Sequence, residues 1–150
     1  MHIQLPPWVW PTALLVVCAL AVWRGRSDER LAAGAYLMAW AITRMVYDPG
    51  DRGTQWPILG VDIALLALLG WIALRSRRFW PLFAAGFQLL AVGIHLARAA
   101  DQAVTGWAYI TAQVVFSYLV ILAIGYGAWT ASRHATGAAE PKDPTGATRR

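Results

Sequence analysis

The chain has one cysteine, Cys18. A lone thiol excludes an internal disulfide, a cysteine-based zinc cluster and a CxxC redox pair. Because it lies inside an apolar run, it reads as a small hydrophobe. Charge is also scarce. Asp, Glu, Lys and Arg make up 14% of the 150 residues, where a soluble domain devotes about a quarter to them. Asp48 and Asp51 lack the ligand spacing of a calcium loop. HExxH, GxSxG, a Walker A loop and the paired carboxylates of a metal hydrolase are all missing. Membrane haem b generally needs two axial ligands, and His95 is the only histidine inside an apolar run, with Met45 as its one conceivable partner. These absences lead to the expectation of a non-enzymatic protein without a cofactor.

What the chain does have is apolar sequence, 58% of its residues, and nine tryptophans. Five apolar runs cover about 8–23, 31–47, 58–74, 79–97 and 106–129. Each approaches the roughly 20 residues that cross about 30 Å of hydrocarbon. The pattern predicts an all-α fold, a five-helix transmembrane bundle over 1–131. A tail over 132–150, rich in Ala, Gly, Thr and Pro, is expected to be disordered. The Pro49-Gly50 pair in the connection after the second run suits a type II turn. Gly86, Gly93, Gly125 and Gly127 are small enough for close helix contacts.

The formal net charge of +5 does not point to nucleic acid, because the cations sit in connections and in the tail and form no basic face. They follow membrane topology. With five spans, Arg24, Arg26, Arg30, Arg75, Arg77, Arg78, Arg133, Lys142, Arg149 and Arg150 fall on one side, and only Arg44, Arg52 and Arg98 on the other. The positive-inside rule then places the N-terminus outside and the C-terminal tail in the cytoplasm. Tryptophan agrees: Trp8, Trp10, Trp56 and Trp107 come at outer ends, Trp23, Trp71, Trp80 and Trp129 at or near inner ends, and only Trp40 is mid-span. The arginines follow the first run, whereas a signal peptide carries its positive charge before the apolar core, so the first run reads as a retained helix.

Pro6-Pro7-Trp8-Val9-Trp10-Pro11 resembles the PP-x-WVF stretch of the tryptophan-rich sensory protein (translocator protein) family, as do the five helices and the chain length. In that family the stretch follows the first helix; here it precedes it, and the family's helix-borne Asn and Trp signatures have no counterpart. As a whole the chain resembles the small multi-pass inner-membrane proteins of bacteria, with Leu74-Arg75-Ser76-Arg77-Arg78-Phe79-Trp80-Pro81 its most distinctive stretch. That resemblance implies location in the bacterial inner membrane and no particular activity.

Ionisable groups inside spans are costly and invite a functional question. Arg44, Asp62, His95, Arg98 and Gln113 come from helices of alternating direction yet fall at similar depth, near the outer surface. Gln88, His95 and Gln102 recur every seven residues and share a face of the fourth helix, while Tyr109, Gln113, Ser117 and Val120 line a face of the fifth. Two readings stand. In one, Asp62 pairs with Arg44 or Arg98 as a structural ion pair, with Gln113 and Ser117 as interhelical glue. In the other, the five residues form an outward-facing pocket selective for anions. The corresponding functions are a non-enzymatic subunit or accessory of a larger membrane assembly, partnered by another membrane protein or by its own copies, and alternatively a small transporter, channel or ligand-binding protein.

Overall fold

The computed structural model describes residues 8–48, 50, 55–101 and 103–131. The tail expected to be disordered, Pro6-Pro7, Arg52 and Gln102 lie outside the described residues. Among the described residues the fold is helical throughout, with α1 (Val9–Arg24), α2 (Ser27–Val46), α3 (Trp56–Arg75), α4 (Trp80–Ala100) and α5 (Gly106–Ala131). α3, α4 and α5 are long and apolar enough to cross a membrane. The 16 residues of α1 are apolar but shorter. α2 starts four residues before the apolar run that announces it, because Ser27-Asp28-Glu29-Arg30 forms its first turn. The Arg26 backbone N–H donates to the Glu29 carboxylate at 2.8 Å, and Asp28 and Glu29 complement the positive end of the helix dipole.

The helices form a ring in chain order. Each packs on the next, α5 closes onto α1, and α2 touches α5 across the ring. Small residues let the backbones approach: Ala21, Ala32, Ala33, Ala84 and Ala128 are all buried. They interleave with Leu14, Leu69, Ile72, Val120, Ile121 and Ile124 in a continuous core. The outside of the ring is apolar too. Leu15, Val22, Met38, Ile63, Leu74, Phe83, Leu89 and Leu122 are exposed, a surface that water would penalise and hydrocarbon would not. Six tryptophans are exposed near the helix ends, Trp8, Trp56 and Trp107 at one end of the ring and Trp23, Trp71 and Trp129 near the other. Arg24 lies over the Trp129 ring at 4.6 Å and Arg75 over Trp71 at 4.5 Å, cation–π contacts that suit a headgroup layer.

Three tryptophans turn inward. Trp10 and Trp40 stack at 5.8 Å, and Trp80 is only 2% exposed. The Trp80 indole N–H donates to Glu29 Oε1 at 2.9 Å. Glu29, itself 1% exposed, also accepts from Arg78. The Arg78 guanidinium in turn donates to the Gly127 carbonyl and the Thr130 hydroxyl, both at 2.7 Å. One carboxylate thereby ties the start of α2 to the α3–α4 connection, the first turn of α4 and the end of α5. It closes the arginine-rich end of the ring.

Glycine matters at one helix contact in particular. A Cβ on Gly127 would stand 2.7 Å from the Trp80 ring, whereas one on Gly86 or Gly93 would meet nothing within 4 Å and one on Gly125 would only touch Val17 at 3.4 Å. The turn expected at Pro49-Gly50 includes Pro49, which lies outside the described residues; the Gly50 N–H donates to Asp48 Oδ1 at 2.8 Å.

Gly127→Ala is expected to cost about 1–3 kcal/mol through overpacking against Trp80, while Gly86→Ala is neutral or gains up to about 1 kcal/mol from helix propensity. Glu29→Leu, which leaves Arg78 without its acid, is expected to cost about 3–5 kcal/mol. Unfolding in mixed micelles, with wild type alongside, measures all three. Equal behaviour of the two glycine variants would remove the argument for the Trp80 contact.

Candidate functional site

At the end of the ring opposite Glu29 the interior is not filled. A cavity of about 310 Å³ is lined by residues from all five helices. From α2 the stripe Tyr36, Trp40, Thr43 and Tyr47 faces it, α1 contributes Trp10, α3 Ile58, Asp62 and Leu65, and α5 Tyr109, Gln113 and Ser117. Gln55, buried at the start of α3, fixes the mouth: its side-chain amide donates to the Asp48 carbonyl at 2.8 Å and its oxygen accepts from the Asp48 N–H at 3.3 Å. This tethers α2 to α3 across the loop.

The polar wall centres on Asp62. Its Oδ2 lies 2.9 Å from His95 Nε2, and Gln88 donates to Oδ1 at 3.1 Å and to the Asp62 carbonyl at 3.3 Å. His95 Nδ1 is 2.8 Å from the Tyr109 hydroxyl, with the two rings edge to face at 5.4 Å. A carboxylate opposite Nε2 holds the ring proton there, so in the neutral imidazole Nδ1 accepts from Tyr109. Tyr109 also meets the side chain of Gln113. The result is a hydrogen-bonded chain, Asp62–His95–Tyr109, running from α3 through α4 to α5. The His95 side chain is 2% exposed while that of Asp62 is 21% exposed, so the imidazole is enclosed and the Asp62 side chain stays partly open. No described buried side-chain N or O atom lacks a partner.

The sequence-derived candidates therefore separate. Asp62, His95 and Gln113 come together on the cavity wall. Arg44 is exposed on the outside of α2 and Arg98 lies one turn beyond His95; neither lines the cavity. Arg98 is close enough to Tyr109 to act on it electrostatically. The carboxylate is held by Gln88 and His95, and among the described residues the lining contains no arginine or lysine. The aromatic side of the site, Trp10 and Trp40, carried no signal beyond membrane composition. The stripe Tyr36-Trp40-Thr43-Tyr47 at four- and three-residue steps was the readable clue. Among the described residues no group of three or more His, Cys, Asp and Glu side chains is placed to hold a metal ion.

Compared with known proteins, the chain matches no family model, no curated protein and no solved structure. The reading of the site rests on its geometry.

A double-mutant cycle tests the polar wall. Asp62→Asn and His95→Gln are expected to couple by about 0.5–3 kcal/mol in unfolding free energy, whereas Asp62→Asn and Arg44→Leu should be additive within about 0.5 kcal/mol. The opposite ranking would restore an Asp62–Arg44 ion pair.

Proposed function

We propose that this chain is a five-span protein of the bacterial inner membrane, N-terminus outside and C-terminus in the cytoplasm, that binds a small ligand in a cavity open to the outer face. The observation that carries the reading is the unfilled cavity with one intramembrane acid on its wall. Its volume is at the lower end of the range typical of small-molecule sites, about 300–1,000 Å³, and it combines apolar and aromatic walls with a few convergent polar groups. An ionisable side chain kept at such depth is by default a functional feature.

Two arguments support five spans. α1 and α2 run the full depth of the ring: Trp10 and Tyr47 reach the cavity, while Arg24 lies on Trp129 and Glu29 binds Arg78 at the other end. Both also expose Leu15, Val16, Met38 and Ile42 on the lipid side. The orientation rests on the excess of cations at the closed end. Below the cavity, the core from Leu69 to Ile124 and the Glu29–Arg78 pair fill the ring, which favours binding over conduction by a single copy. Association with another membrane protein or a second copy is compatible with this reading and would use the outer surface.

Accessibility tests it in a Cys18→Ala background. Gln113→Cys should react with a membrane-impermeant maleimide added outside, and Ile124→Cys, at 0% exposure, should react from neither side. Reporters at Gly50 and after Arg150 should mark the outside and the cytoplasm. Silence at Gln113→Cys would refute the open cavity, and labelling only from the cytoplasmic side would invert the topology.

A further inference from the structure

We infer that the ligand is a small organic cation, an amine carrying an aromatic or aliphatic arm, with its ammonium on Asp62 and its arm against the indoles. This rests on the reading of the cavity as a binding site and specifies what it takes.

Charge is the first argument. Arginines at matching depth suggest an anion site, but among the described residues the lining holds a carboxylate and no arginine or lysine. The one acid on the described lining, Asp62, is met by the Gln88 amide and the His95 imidazole, in a medium that solvates its charge poorly. An anion placed there would face Asp62 directly, whereas an ammonium completes the pair.

Hydrogen bonding is the second. A carboxylate offers about four acceptor sites. Gln88 and His95 use one on each oxygen, and the partly exposed Asp62 side chain lines the cavity. The free capacity is for a donor. The nearest donors on the wall are already engaged: His95 Nε2 on Asp62, and the Tyr109 hydroxyl at His95 Nδ1. A ligand that only accepts hydrogen bonds must turn to neutral donors elsewhere on the lining, such as Thr43 and Gln113, and one that donates finds a charged acceptor.

The aromatic surround is the third. Trp10 and Trp40 stack beside Tyr36, with Trp10 and Tyr36 centroids 6.4 Å apart, and Tyr47 and Tyr109 complete the wall. The faces of indole and phenol rings attract cations, more so when water is excluded. Carboxylate and aromatic faces around one cavity are both attractive to the same kind of ligand.

The test uses the full chain in nanodiscs of zwitterionic phosphatidylcholine and three probes of one shape: phenethylamine, 2-phenylethanol and phenylacetate. Isothermal titration, with empty discs subtracted for partitioning, reads binding. Phenethylamine should bind wild type at least about tenfold more tightly than the alcohol, with phenylacetate weakest. Asp62→Asn keeps an acceptor for His95 and Gln88 and should bring amine and alcohol to within about twofold. The wild-type preference decides the ligand class even if that variant does not fold. Binding of the alcohol or the carboxylate as tightly as the amine would overturn the cationic class and leave the binding cavity standing. Binding by none of the three would overturn it too, and labelling of Gln113→Cys from outside then shows whether the cavity reading falls with it.

Discussion

The shape of this molecule depends on the carboxylate of Glu29. A ring of five helices has two ends, and nothing in ring packing alone closes either. At the arginine-rich end Glu29 accepts from the Arg26 backbone, from Arg78 and from the Trp80 indole, and Arg78 passes the connection on to Gly127 and Thr130. A buried pair is a stable arrangement only when the remaining donors and acceptors are also satisfied, and here they are. Trp80 can enter the ring because Gly127 has no side chain to oppose it. Ion pair, indole and glycine thus form one closure, and the cavity at the far end is a blind cup because of it.

The two ends handle polarity differently, and the difference separates structure from function. In hydrocarbon every polar group needs a partner within the protein. At the closed end acid and base meet and face inward onto a solid core. At the open end Asp62 has hydrogen-bond partners, Gln88 and His95, but among the described residues no arginine or lysine lines its cavity. Structural satisfaction is complete in the sense that no described buried polar atom is orphaned. What is left is an acceptor facing empty volume. Evolution of a pure scaffold has a cheaper solution, an apolar residue at position 62 with side chains filling the cavity, because well-packed apolar replacements of buried charge are often neutral or stabilising.

Much of this was legible in the sequence, and the failures have a common cause. Run length located five helices, and seven-residue recurrence put Gln88 and His95 on one face that does meet Asp62. Steps of four brought Tyr109, Gln113 and Ser117 to the same cavity. Depth along a helix follows from counting residues; rotation about its axis follows only from packing. Arg44 has the right depth, but it is one residue past Thr43 in the stripe that faces the cavity. One residue turns the helix by about 100°, which carries Arg44 to the outside. Glu29 was invisible for another reason. It lies between arginines in what reads as a solvated connection, and only its tertiary partner, 49 residues away, makes it interior. Trp80 likewise has an interfacial address in sequence and a core one in space, because its N–H finds an acid.

The closed end also constrains any mechanism that involves movement of a ligand. Passage through one copy would require separating Glu29 from Arg78 while both remain out of bulk water, a cost of about 3–5 kcal/mol, and parting a core in which Leu69, Val120, Ile124 and Ala128 are wholly buried. The open end poses no comparable obstacle: its rim is the Asp48–Gln55 tether and the exposed turn at Gly50. A ligand that enters there can leave there. The hydrogen-bonded chain through His95 and Tyr109 then has a natural use. It joins α3, α4 and α5 at the wall of the cup, through Asp62, His95 and Tyr109. Those helices carry the exposed apolar faces at Ile63, Leu89 and Leu122.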